Sequence, residues 1–109
     1  MDTTKERKII EHENNDGTTA KFLVGEGVVI NPSAKIRDGV VIGDGATICG
    51  IAFIGQDSTI GNNSFIGFAA TIHKNAKIGD DVTVKDFGVV MDGAIVPDGK
   101  VIKKGEIYT

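Results

Sequence analysis

Hydrophobic residues recur along this chain with a period of six. From Val24 onward an aliphatic side chain stands at every sixth position: Val24, Ile30, Ile36, Ile42, Ile48, Ile54, Ile60, Ile66, Ile72, Ile78, Val84, Val90, Val96 and Ile102, 14 in succession without an insertion. Four residues after each aliphatic comes a small or β-branched residue, from Val28, Ala34, Val40 and Ala46 through Ala52, Ser58, Ser64, Ala70, Ala76, Val82 and Gly88 to Ala94. An α-helix shows a period near 3.6 and a half-buried strand a period of 2, so six fits neither. It does fit a short strand, a tight corner, and a further strand turned by a third of a revolution. Three hexads then close a triangular coil of 18 residues, with the aliphatics inside and the small residues at the corners. Coils of this kind stack about 4.8 Å apart, the usual strand spacing. The pattern therefore predicts an all-β fold, a parallel β-helix of about 14 hexads and nearly five coils, roughly 20 Å tall, with three interior aliphatic columns. Lys100 and Glu106 break the small-residue series, which predicts a wetter last coil that acts as a cap.

The three corners of such a coil are not alike. One reads Glu26-Gly27, Asp44-Gly45, Asn62-Asn63, Asp80-Asp81 and Asp98-Gly99; a second reads Asp38-Gly39, Gln56-Asp57, Lys74-Asn75 and Asp92-Gly93. Both carry turn residues that tolerate positive φ, and both are expected to face water. The third reads Pro32-Ser33, Gly50-Ile51, Phe68-Ala69, Asp86-Phe87 and Lys104-Gly105. Nothing inside the prism calls for Ile51, Phe68 or Phe87 there. With the outward-facing Phe53, Val89 and Met91 they form an apolar edge, and such a patch marks an interaction surface. Self-association is the leading expectation, with Ile51, Phe53, Phe68 and Phe87 at the interface; the alternative is that the N-terminal segment folds back over the edge.

Residues 1–23 lie outside the repeat and are expected to form a capping segment, with residues 24–109 as the β-helix, in one domain overall. Lys8 to Glu13, a turn at Asn15-Asp16-Gly17, and Thr18 to Leu23 read as a β-hairpin. It would cover an open end of the prism and keep strand edges from pairing with other chains.

Composition narrows the function classes. The chain has 109 residues, 15 glycines, 2 prolines and no tryptophan, which suits narrow stacked β-structure. A net charge of -3 with no basic stripe argues against a nucleic-acid partner. No apolar run is long enough to span a membrane, and the polar stretch from Met1 to Arg7 is not a secretory signal. A single cysteine, Cys49, excludes an internal disulfide framework. The expected location is cytoplasmic.

The repeat resembles the hexapeptide-repeat proteins, whose coils form a left-handed parallel β-helix; the left hand comes from that resemblance. Within this group the segments Ile60-Gly61-Asn62-Asn63-Ser64-Phe65-Ile66-Gly67-Phe68, Lys77-Ile78-Gly79-Asp80-Asp81 and Ile95-Val96-Pro97-Asp98-Gly99-Lys100-Val101-Ile102 look most like the γ-class carbonic anhydrases, over about residues 36–107. The resemblance implies a homotrimer with sites in clefts between subunits. It also implies a zinc site of three histidines, which by register fall on Gly50, Gly55 and a position near Arg37. None is histidine, and the long loop that the family inserts is missing. A catalytic zinc takes about three protein ligands, so neither metal nor cofactor is expected.

His73 is the residue best suited to chemistry, as a general base or an anion contact in a cleft; otherwise it is a plain surface or interface histidine. His12, in the hairpin, is expected to do no chemistry. Cys49 is read as a small interface side chain, and with His73 of a neighbouring subunit it makes too few ligands for a metal. No phosphate-binding glycine motif occurs, since the glycines follow turn and strand register. The leading reading is a non-catalytic trimer, structural or binding a small ligand in clefts lined by Arg37, Cys49, His73 and Met91. The alternative is an enzyme of the same class, a hydratase with rearranged metal ligands or a minimal acyltransferase working at His73.

Overall fold

The structure is a computed structural model and describes residues 8–14 and 17–109. Each hexad folds as a two-residue strand and a turn, and the described residues contain no helix. Strands one coil apart pair in parallel at a spacing of 18 residues, so that Ile60 lies between Ile42 and Ile78. The result is a three-sided parallel β-solenoid of about five turns.

The first sheet is ordered β1 (Lys8–Glu13), β2 (Thr19–Val24), β5 (Val41–Ile42), β8 (Thr59–Ile60), β11 (Lys77–Ile78), β14 (Ile95–Val96). The second holds β3 (Val29–Ile30), β6 (Thr47–Ile48), β9 (Phe65–Ile66), β12 (Thr83–Val84) and β15 (Val101–Ile102). The third holds β4 (Lys35–Ile36), β7 (Phe53–Ile54), β10 (Thr71–Ile72), β13 (Val89–Val90) and β16 (Ile107–Tyr108). The second residue of each short strand points inward. Ile36, Ile42, Ile48, Ile54, Ile66, Ile72 and Ile102 are all but inaccessible, and the alanines and valines of the second series fill the corners between them. The apolar interior is the main stabilising term, at about 1.5–3 kcal/mol for each fully buried aliphatic side chain.

The corners solve a hydrogen-bonding problem. Where the first sheet turns into the second, Asp44, Asn62, Asp80 and Asp98 each accept, through Oδ1, the backbone N–H of the residue one coil earlier: Glu26, Asp44, Asn62 and Asp80 in turn. This ladder of Asx side chains explains why that corner is so uniform in sequence. Ser58 and Ser64 are the polar members of the small-residue series, and both are buried. The Ser58 hydroxyl donates to His73 C=O and accepts from Ala76 N–H, and the Ser64 hydroxyl does the same with Gly79 and Val82. Each therefore stands in for a turn hydrogen bond instead of leaving a void.

The two ends are closed differently. The strands β1 and β2 form an antiparallel hairpin in which Lys8 pairs with Val24 and Glu13 with Thr19. The expected turn residues Asn15 and Asp16 lie outside the described residues. The strand β2 is both an arm of the hairpin and the first rung of the solenoid, since Leu23 and Val24 pair with Val41 and Ile42. β1 thus covers the open edge of the first sheet with backbone. The edge of the third sheet is covered by side chains. The buried Asn14 accepts Ile36 N–H through Oδ1 and donates to Ile36 C=O through Nδ2, a two-point pairing that copies a strand, and His12 Nε2 donates to Ala34 C=O. At the other end Tyr108 continues an interior column, with the Lys100 ammonium 6.0 Å from its ring centre. Glu106 turns back to accept Lys103 N–H, and Pro97 stands where Gly43, Gly61 and Gly79 send an N–H to the next coil. The last edge is therefore short of donors and carries charge, as edges that avoid pairing do.

Replacing Asn14 with Ala should lower the unfolding free energy measurably, because two buried backbone groups lose their partner at on the order of 1–3 kcal/mol each. A chemical denaturation curve that matches the parent's would show that Asn14 does not cap the edge.

Candidate functional site

Two surfaces stand out, and the third sheet joins them. The first is the corner between the second and third sheets. The second residue of each turn has positive φ throughout the solenoid from Gly27 to Gly105, apart from Ser33. On the other two corners glycine, asparagine or aspartate occupies it. On this corner Ile51 (φ 58°), Ala69 (φ 56°) and Phe87 (φ 61°) occupy it instead. An L-residue with a Cβ gives up roughly 1–2 kcal/mol in that conformation, and a β-branched isoleucine is a rare occupant. These side chains are not hidden in return: Ile51 is 60%, Phe87 50% and Phe68 43% exposed. Phe68 and Phe87 meet edge to face, with ring centres 5.9 Å apart at 83°. The stripe continues onto the third sheet through Phe53 and Val89, which lie either side of Thr71 on its outer face.

The second surface is a cleft of ≈ 350 Å³ at the far border of the third sheet, lined by Arg37, Phe53, Gly55, Gln56, His73, Lys74 and Asp92. Arg37 and His73 stand two coils apart in one column, with Gly55 between them. The Arg37 guanidinium lies 5.5 Å from the centre of the Phe53 ring, and one of its nitrogens reaches Thr18 Oγ1 at 3.4 Å. His73 Nδ1 is 3.4 Å from Asp92 Oδ1. With Lys74 alongside, the wall carries two fixed positive charges, one carboxylate and a half-buried aromatic face.

The structure thus brings Arg37, His73 and Phe53 together. Met91 follows them in the same column and is exposed, but it does not line the cleft. Cys49 lies on the other side of the third sheet, at the border of the second. Its thiol is pushed above its ordinary pKa, first by burial and then by the Asp86 carboxylate. Single residues in the sequence do not point to Asp92, Lys74 and Gln56, which read as part of a corner that faces water. The 18-residue spacing places that corner directly beside the column of Arg37 and His73.

A zinc centre of the kind the resemblance implies does not fit these residues. A Cβ on Gly55 would stand 2.5 Å from Lys74 N and 2.7 Å from the His73 carbonyl carbon, so no ligand side chain can be seated there without moving the next coil. Gly50 and Arg37 add no donor suited to the metal. Among the described residues no three His, Cys, Asp or Glu side chains come together. Compared with known proteins, the chain matches no family model and no curated protein.

The electrostatics at Cys49 can be checked. Asp86→Asn removes the negative charge but keeps an oxygen for the Phe68 N–H that Asp86 accepts. The thiolate should then form at lower pH and alkylation by iodoacetamide at pH 8 should speed up, though it stays slower than for a free thiol because burial remains the larger cause. An unchanged pH–rate profile would remove Asp86 from the account.

Proposed function

We propose that the chain is a non-catalytic β-solenoid that works as a homotrimer, with the corner of Ile51, Phe68 and Phe87 buried between copies and a small anionic ligand held in the cleft of Arg37 and His73. The observation that carries this reading is the corner itself. Ile51 and Phe87 are kept there in a backbone conformation that disfavours them, and with Phe68 they are exposed to water. Both terms count against an isolated chain, and burial against a partner removes the second.

A second copy is the partner that matches. The stripe repeats at each coil, about 4.8 Å apart, and an identical stripe has the same rise. Rotational symmetry closes such a contact into a defined oligomer. Phe53 links the stripe to the cleft, so a copy packed on the corner also walls the cleft. A cytoplasmic location goes with the single free cysteine. The described residues contain no helix long and apolar enough to cross a membrane.

The His73–Asp92 pair favours the second reading, an enzyme with His73 as general base. Metal content separates the hydratase form of that reading from a binder, since a zinc hydratase holds its ion tightly to lower the pKa of bound water to about 7. Purified protein should contain less than stoichiometric zinc and show no CO2 hydration with zinc supplied. One zinc per subunit, lost on His73→Ala, would replace the proposal with the enzyme.

Phe87→Asp tests the assembly cleanly, because Asp57 and Asp81 already occupy the same turn position with the same φ on the other corners. The variant should fold, with a thermal midpoint near the parent's. Its mass by light scattering at low micromolar concentration should fall toward the monomer. A mass equal to the parent's would take Phe87 out of the interface.

A further inference from the structure

A cavity of ≈ 570 Å³ lies at the N-terminal mouth of the solenoid. Ile10, Phe22, Val24, Val28 and Ile30 form its apolar walls, and Lys8, His12 and Glu26 stand at its rim. The cause of the cavity lies in how the three first rungs end. The first sheet is covered by the β1 backbone, and the third by the Asn14 carboxamide and His12. The second sheet ends at β3, and no strand of the described residues pairs with it on that side.

The groups left facing the mouth follow from strand geometry. Val29 and Asn31 send their N–H groups down the stack, to Ala46 and Ile48 C=O. Alternation along the strand turns Ile30 N–H the other way, into the mouth. One hexad later, Ala34 and Ile36 C=O accept from the cap, and the repeat puts Val28 and Ile30 C=O in the equivalent direction. The interior column of this sheet is open as well. Ile48, Ile66, Val84 and Ile102 are at most 1% exposed, whereas Ile30 at the head of the column is only half-buried.

We propose that the mouth is a docking site for an extended peptide segment of another polypeptide, bound as one more rung on the second sheet. Three complementarities define the occupant. It needs a donor and an acceptor spaced to meet Ile30 N–H and C=O, as the Asn14 carboxamide meets those of Ile36. It needs a branched aliphatic side chain to complete the column above Ile30. It has to be narrow and extended, since the site continues the rung-on-rung interface that runs the length of this sheet. A peptide bond flanked by valine or isoleucine supplies all three. Main-chain pairing then gives affinity and the apolar pocket gives selectivity, as in other strand additions to a sheet edge. The cavity falls within the size range of ligand pockets, about 300–1,000 Å³. Residues 1–7 hold no branched aliphatic side chain, so they lack the group that the column above Ile30 calls for.

The test titrates the full chain with the blocked peptide acetyl-Thr-Val-Ile-Thr-amide and follows backbone amides by NMR. Saturable shifts are expected at Ile30 and Val28, with a dissociation constant below about 1 mM and exchange of the Ile30 amide slowed about tenfold on saturation. The same peptide with glycines in place of valine and isoleucine should bind at least about tenfold more weakly, a control that leaves the protein untouched. Absence of shifts at about 1 mM peptide, or shifts confined to the Ile51–Phe87 corner, overturns the proposal. Protection of the Ile30 amide in the free chain also overturns it: if lost on deleting residues 1–7, the chain's own segment is the occupant, and if it rises with protein concentration, a second copy is.

Discussion

The backbone of each rung must find its hydrogen-bond partners one coil away, and everything else in this molecule follows from that constraint. Two-residue strands cannot hold together alone; they are stable here because those within the stack pair on both sides and because the inner side chain is stacked on others of its column. The period of 18 is therefore a hydrogen-bonding register as much as a packing register. A residue inserted into a strand, and not absorbed as a loop at the next turn, would put an aliphatic outside and a polar residue inside.

The same constraint explains the polar residues that look out of place. Ser58 and Ser64 sit where alanine is usual, yet each hydroxyl accepts one N–H of the next coil and donates to a carbonyl near it. The Asx ladder does comparable work outside the prism, giving the first N–H of each turn a partner. Both devices satisfy backbone groups at the points where the chain bends away from its ladder. A buried serine in this fold is thus part of the turn, and its chemistry is already committed.

The constraint fails only at the ends and at surfaces that the prism does not use, and those are the places where function can reside. The C-terminal end is finished within the chain, by Tyr108 in the column, Pro97 without a donor and Glu106 folded back. Among the described residues, the N-terminal end is finished on two sheets out of three. The corner of Ile51, Ala69 and Phe87 breaks the turn chemistry that the rest of the molecule obeys, and the neighbouring column gathers Arg37, His73 and Asp92 into a cleft. Local rules hold in the interior and are broken at these few positions, as expected when selection acts on something other than the stability of one chain.

The fold was legible in the sequence because the spacing of the aliphatics is itself the geometry: one number, six, sets strand length, corner position and inner face. The apolar corner was legible for the same reason, since Ile51, Phe68 and Phe87 stand where turn residues recur elsewhere. The hairpin could be read from its alternation, with its second strand one residue later in the structure. What the sequence could not decide was contact between columns. Asp92 reads as an ordinary turn residue until the stack sets it 3.4 Å from His73, and Arg37 is an isolated cation until it lies over Phe53. Nor does Asn14 announce that its side chain will act as a strand, because that role depends on where the hairpin lays it across the third sheet. A repeat fixes which residues share a column; distances across columns, and the way an edge is closed, arise only when the coils are stacked.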